Sequence, residues 1–395
     1  MKEIWLKIKP KGDPVMWMII IFLMIIGLLA VYSTTSGLVN YAGKGSTEMY
    51  LLQQVVLLSV GFLIMLVIHT IPYKTFLKLA KIVLYISYIL LVLTITNGKE
   101  INGAKRWLEI PFTPITIQTS ELAKIALFVY ITRYLAIKQD EIKDLKKTII
   151  PLTIHIALIC ALIAPNNLST AVVIFTSSMV ILFIGRAKIS HIIYVTLMMV
   201  FIGVIMLLAN QVMPENYKFL GRNTTWQSRL KNFDNPFGSN RDKEKNKTLE
   251  QKDYAQIAVA TGGILGKGPG QSTIKNLFSQ AYNDFIYAII NEEYGLWGAL
   301  IILLLFMIFM FRAFRIIIKS PKASGALLAI GLSFSFCLQA LIHMGVSTTL
   351  LPVTGLTLPF ISKGGTSVII TCIAFGMIMS VSRFVEEEQT KEVEA

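Results

Sequence analysis

Long apolar runs separated by short polar loops dominate the chain. A run of about 20 mostly apolar residues is long enough to cross a bilayer as a helix. Ten such runs follow one another, at 15–33, 51–69, 82–96, 115–132, 149–164, 168–184, 191–209, 285–311, 325–344 and 366–381. The first carries no charge and no small-residue cleavage site follows it, so it is predicted to be a retained span and not a signal peptide. The fourth holds Glu121 and Lys124, which lowers its hydropathy. The fifth and sixth are separated only by Pro165-Asn166-Asn167, which predicts a tight turn.

The cations sort onto alternate loops. Lys2, Lys7, Lys9 and Lys11 precede the first run, and Lys74, Lys78 and Lys81 follow the second. Arg133, Lys138, Lys143, Lys146 and Lys147 follow the fourth, Arg186 and Lys188 the sixth, and Arg312, Arg315, Lys319 and Lys322 the eighth. Short loops rich in Lys and Arg stay in the cytoplasm. The pattern predicts an all-α polytopic membrane protein with ten transmembrane helices and both termini cytoplasmic. Residues 1–384 form a single membrane domain, which includes one long extracytoplasmic loop, about 210–284, between helices 7 and 8. Residues 385–395 form an acidic cytoplasmic tail, expected to be mobile.

Composition agrees with this picture and excludes others. Of 395 residues, 54% are hydrophobic and only 15% charged, with a mean hydropathy of +0.64. A soluble domain carries roughly a quarter charged residues, and a disordered chain lacks this much apolar surface. Cys160, Cys337 and Cys372 lie inside apolar runs and read as packing groups, not a disulfide framework. The net charge of +14 would suit nucleic acid, but the apolar content would not.

Two loops on the expected outer side are basic nonetheless. Loop 3–4 carries Lys99, Lys105 and Arg106. In loop 7–8, eleven Lys and Arg outnumber the six Asp and Glu that precede Asp284. Long loops translocate regardless of charge, which accounts for the Lys/Glu mixture at 241–252. The remaining cations flank glycines and aromatics beside charges embedded in spans, and there an anionic ligand on the outer face is the sharper reading.

Five constellations carry candidate chemistry. In Gln118-Thr119-Ser120-Glu121-Leu122-Ala123-Lys124, Glu121 and Lys124 share a helix face; intramembrane ionisable groups are either structural locks or parts of a functional site. In Asn102-Gly103-Ala104-Lys105-Arg106-Trp107-Leu108, Lys105 and Arg106 could grip phosphate or snorkel to headgroups. Asp284, at the start of the eighth run, is either a helix cap or an acid poised as a base beside a basic loop. Deeper in that run, Glu292 and Glu293 call for at least one partner inside the bundle. The glycine-rich stretch 262–272, with Lys267, lacks phosphate-loop spacing but could form an anion nest. Finally, Pro352, Gly355, Pro359, Gly364 and Gly365 forbid a regular helix over 351–367. Irregular backbone at membrane depth must be covered by protein or line a cavity, so a re-entrant loop is predicted that brings Lys363 near the site. His69, His155, His191 and His343 show no metal-ligand spacing.

The strings NGAKRWL, QTSELAK, NDFIYAIINEEYG and LLPVTGLTLPFISKGGTS occur in the order found in the SEDS family (shape, elongation, division and sporulation), which includes FtsW, RodA and SpoVE. The chain resembles that family over essentially all its spans. The resemblance implies ten spans, a peptidoglycan glycosyltransferase polymerising lipid II into glycan strands at the outer face of the bacterial cytoplasmic membrane, and a class B penicillin-binding protein as transpeptidase partner. It maps the family's essential loop aspartate onto Asp284 and its intramembrane pair onto Glu121 and Lys124. Three departures stand out: Thr119 replaces a proline, Asn167 replaces a frequent aspartate, and Lys363 turns SYGG into SKGG. The last is similar to division-type FtsW proteins, which points to septal synthesis and other division proteins as partners.

The expected site has Asp284 as general base and Lys124, Arg106, Lys105 and Lys363 at the substrate diphosphate. Glu121 holds Lys124, and Gln118 and Ser120 line the substrate site. A divalent cation could share the charge work, although no ligand cluster is spelled out. Two other classes of function fit the same charges: a lipid II flippase, which needs a polar path from face to face, and a non-enzymatic division scaffold.

Overall fold

The computed structural model describes residues 11–42, 47–101, 104–110, 116–212, 251–277 and 283–394. Outside them lie Lys2, Lys7, Lys9, Asn102, Gly103, Tyr282 and most of the long loop, with Lys218, Arg222, Arg229, Lys231, Arg241, Lys243, Lys245 and Lys247. Among the described residues, seven helices are long and apolar enough to cross a membrane. They belong to α1 (Pro14–Ala42), α2 (Thr47–Thr70), α3 (Tyr73–Asn97), α5 (Ile150–Ile184), α8 (Ile286–Lys319), α9 (Ala323–Ser347) and α10 (Thr366–Glu394). A further apolar stretch, Ile189–Ile205, lies in α6 (Ile189–Val212). The long loop supplies α7 (Gln251–Gly262).

The remaining helix, α4 (Thr119–Ile137), bears Glu121 and Lys124 and is buried almost all round from Thr119 to Thr132. A helix covered on every side lies inside the bundle, not against lipid. Its charged pair is therefore solvated by protein, which is why it tolerates the two charges.

Two of the long helices are broken. Within α5, Asn167 has non-helical backbone (φ −155°, ψ 77°). The Cys160 thiol meets the Ala171 carbonyl at 3.6 Å. In a straight helix these residues would be about 16 Å apart, so the chain folds back at the Pro165–Asn167 turn. The eighth apolar run, expected as one span from 285 to 311, is interrupted at Gly295 (φ 65°, ψ −161°). The Tyr287 hydroxyl donates to the Ala299 carbonyl at 3.1 Å, twelve residues along, so the leading piece of α8 bends sharply back. Its last carbonyls take partners from the glycine-rich loop: Lys267 N donates to Glu292 O and Gly268 N to Glu293 O, each at 2.9 Å. A side chain on Gly295 would collide with Gly266 N at 2.5 Å. Glycine is needed here for the close approach as well as for φ.

The all-α expectation fails in loop 3–4. Strands β1 (Lys99–Ile101), β2 (Ala104–Glu109) and β3 (Thr116–Gln118) form an antiparallel sheet in the order β1-β2-β3. Register pairs Lys99 with Trp107 and Trp107 with Gln118. Strands of three, six and three residues give too short an alternation to stand out beside the long helical runs.

The segment between α9 and α10 is irregular, as its prolines and glycines require. Leu356, Leu358, Phe360, Ile361 and Ser362 are buried in it, so protein covers the segment. A Cβ on Gly27 of α1 would fall 2.3 Å from the Phe360 carbonyl oxygen. Backbone cannot yield there as a flexible side chain could. Gly27→Ala should therefore cost about 1–3 kcal/mol of stability, read as a lower thermal midpoint in detergent; an unchanged midpoint would contradict this packing.

At the opposite end of the bundle the acidic tail is helical as far as Glu394. It continues α10 as helix and clamps the chain ahead of α1. Glu386 accepts from Gly12 N at 2.5 Å, Glu387 from the Lys11 ammonium at 3.3 Å, and Ser382 from Asp13 N at 2.9 Å.

Candidate active site

Sheet, turn and broken helix meet at Gly355. Its φ of +71° favours glycine, and its missing side chain leaves room for two charged groups. The point where a Cβ would sit is 3.5 Å from Arg106 Nη1 and 3.8 Å from Asp284 Oδ2. Residues 249 and 178 positions apart in the chain are thus set on one turn of backbone. Arg106 is aimed by β2 and by a 2.8 Å bond from its Nε to the Asn166 carbonyl, at the α5 reversal. Asp284 and Arg106 are both partly buried. The helix that follows Asp284 has Phe285 at its N-cap position.

A cleft opens beside Arg106. Lys105, Arg106, Thr119, Ser120, Asn166 and Asn167 give it polar walls, and Leu91, Ile95, Leu162 and Ile163 give it apolar ones. The cleft is narrow, with a volume of about 20 Å³, so it shows which polar and apolar groups stand side by side and holds little more than a water molecule. Lys105 reaches the Thr96 carbonyl at 3.4 Å. Gln118 ends β3 and stands at the N-cap of α4, making no side-chain cap bond there. Two departures from the family pattern find local partners: Thr119 pairs its hydroxyl with Thr94 at 2.9 Å, and Asn167 accepts from Thr170 N at 3.3 Å.

Lys124 and Glu121 lie behind this cleft. Lys124 is 1% exposed and Glu121 6%, and they pair at 2.6 Å. The Lys124 ammonium also donates to Gln339 Oε1 at 2.9 Å and stands 4.6 Å over the Phe336 ring. An ammonium has three donors; the Glu121 carboxylate and the Gln339 amide oxygen each take one. Lys363 stacks on the Tyr50 ring at 3.9 Å; burial pushes its pKa below the usual lysine value.

The glycine-rich loop turns out to cradle carboxylates of its own chain. Glu292 is fully buried. It accepts from Lys267 at 2.5 Å, from the Thr273 hydroxyl at 2.8 Å, from the Thr273 and Ile274 amides, and from the Ser272 hydroxyl. Glu293 accepts from the Ser33 hydroxyl and lies 3.9 Å from Lys275. The amides of Lys267 and Gly268 go to backbone carbonyls, and the carboxylates of Glu292 and Glu293 draw on the Lys267 and Lys275 ammonium groups instead.

Among the described residues no three His, Cys, Asp or Glu gather to hold a metal ion. Gln339 and the Asn166 carbonyl carry no motif of their own, and His343 stands out in the sequence only as a histidine without metal-ligand spacing. Gln339 and His343 are polar residues four apart in an apolar run, a spacing that could have drawn attention to them.

The fold and this site describe a polytopic membrane protein that gathers a carboxylate, a guanidinium and an amphipathic cleft at one end of its helices. The sequence profile of the family described as "Cell cycle protein" (FtsW, RodA, SpoVE) matches residues 13–387. The chain belongs to that family. It is 31% identical to stage V sporulation protein E of Bacillus subtilis (strain 168) over 382 residues, covering 95% of this chain and 98% of the relative. It is 30% identical to the probable peptidoglycan glycosyltransferase FtsW of Aliivibrio salmonicida (strain LFI1238) over 364 residues, 91% of this chain and 86% of that one. In fold it is similar to a chain solved in a peptidoglycan synthase complex that coordinates polymerization and crosslinking. The TM-score is 0.72 at 23% identity, covering 95% of this chain and 98% of that one.

Proposed function

We propose that this protein is a peptidoglycan glycosyltransferase that polymerises lipid II into glycan strands at the outer face of the cytoplasmic membrane during septal wall synthesis. The observation that carries the mechanism is the meeting of Arg106 and Asp284 at Gly355. In glycosyl transfer a sugar hydroxyl of one substrate attacks the anomeric carbon of the other. The new glycosidic bond forms as the bond to the polyprenyl diphosphate breaks, and the hydroxyl proton must leave. Asp284 takes that proton. Arg106 and Lys105, with Lys363 as a further cation, balance the charge that develops on the departing diphosphate. The polyprenyl tail stays in the bilayer.

The chain crosses the membrane ten times in this reading. Seven long helices, the apolar α6, the buried α4 and the reversal within α5 support that count. Both termini are then cytoplasmic, and β1–β3, Gly355 and Asp284 face outward. A class B penicillin-binding protein is the proposed transpeptidase partner, by analogy with the complex named above.

The test is glycan polymerisation from lipid II by the purified chain, with and without that partner. Polymer supports the reading; transbilayer movement of labelled lipid II without polymer would replace it with a flippase. Arg106→Ala should raise KM for lipid II about 10- to 100-fold, the size of a lost hydrogen bond to a charged group. An unaltered KM would remove Arg106 from the diphosphate.

A further inference from the structure

Lys124 sits where a substrate cation was expected, yet it is 1% exposed and faces Glu121, Gln339 and Phe336 of its own protein. Its partner Gln339 extends the contact. The Gln339 amide accepts from Lys124 and donates through Nε2 to the Thr357 carbonyl at 2.9 Å. One helical turn along α9, His343 Nδ1 lies 2.7 Å from the Leu356 carbonyl. A carbonyl only accepts, so Nδ1 carries the proton. Two side chains four apart thus hold two consecutive carbonyls of the irregular segment, directly after Gly355. Gln339 is 4% exposed and His343 1%, so neither is placed to touch substrate.

We propose that Gln339 and His343 are positioning residues, through which the buried Glu121–Lys124 pair fixes the Gly355 turn between Arg106 and Asp284. The proposal rests on the glycosyltransferase reading and assigns its intramembrane pair a task other than gripping diphosphate. The chain of contacts is continuous: Glu121 orients Lys124, Lys124 orients the Gln339 amide, and that amide orients Thr357. Further along, Leu358 N donates to the Ser362 hydroxyl and that hydroxyl donates to the Asn283 carbonyl, so Gln339 and His343 hold the part of the segment next to Gly355. Misplacing reacting groups by about 1 Å can cost about 100-fold in rate.

The experiment compares the full chain, with its partner, against Gln339→Leu. Steady-state polymerisation of lipid II should show kcat down about 10- to 100-fold with KM within about threefold. A second reading needs no turnover. Cys160, Cys337 and Cys372 are all buried, so Thr354→Cys supplies a reporter beside the turn for a membrane-impermeant maleimide. Its labelling should quicken about tenfold or more when Gln339→Leu is added, as local opening becomes easier. A raised KM with kcat preserved would mean that the Lys124–Gln339 pair binds substrate, and would overturn the proposal; so would an unchanged labelling rate. If Gln339→Leu does not fold, Gln339→Glu serves instead, since it keeps the acceptor for Lys124 and loses the donor to Thr357. Absence of polymer from the unmodified chain would count against the glycosyltransferase reading, while the labelling would still decide the positioning claim.

Discussion

Asp284→Asn should abolish most glycan synthesis while leaving the protein folded. The substitution keeps the size and shape of the side chain and removes its ability to take a proton. A general base contributes typically about 10²–10⁴-fold, so polymer should fall by that factor in an assay with purified chain, partner and lipid II. Binding of lipid II should survive, because Arg106 and Lys105 remain. Asp284→Glu should recover part of the rate: the carboxylate is present but displaced by one methylene from its place beside Gly355. Near-normal output from Asp284→Asn would take the residue out of the chemistry and leave Arg106 without its counterpart at the turn.

Glu292→Ala should produce the largest loss of stability among single substitutions in the glycine-rich loop. Glu292 is 0% exposed and gathers five donors from Lys267, Ser272, Thr273 and Ile274. Alanine strands the hydroxyls and amides and frees the ammonium. Breaking a buried pair costs about 3–5 kcal/mol. Here the low end applies, since Lys267 is 28% exposed and can turn to water. A loss of about 3 kcal/mol is still a large part of a fold's margin. It should appear as a lower thermal midpoint in detergent and as faster proteolysis within 263–275. Glu292→Gln, which keeps one acceptor oxygen, should lose less. Equal stability of wild type and Glu292→Ala would mean that the loop is held by its backbone bonds alone.

The same carboxylate separates what a linear reading can and cannot reach. Its burial was legible, because a charge inside an apolar run needs a partner. The partner was not. Lys267 lies 25 positions away in a loop whose glycines suggested an external anion. The break at Gly295 was hidden for a similar reason: the residues around it are apolar enough to read as one span, and only the approach of Gly266 shows why the helix must stop. The β-sheet of loop 3–4 left little mark because its strands are short. The turn at Pro165–Asn167, by contrast, was legible from a proline and two asparagines, and the reversal is there.

Alone, the sequence determined the environment and the chemical classes. Long apolar runs must be helices in a bilayer, since no other open segment satisfies its backbone there, and the surviving charges stand out because each is costly to place. What only the tertiary structure decided was which charges meet. Arg106, Asp284 and Gly355 come from three separate parts of the chain, and the contacts of Lys124 with Gln339 and Phe336 join residues more than 200 positions apart. Coulombic and hydrogen-bonding contacts act over a few ångströms of space, and distance along the chain carries no record of that.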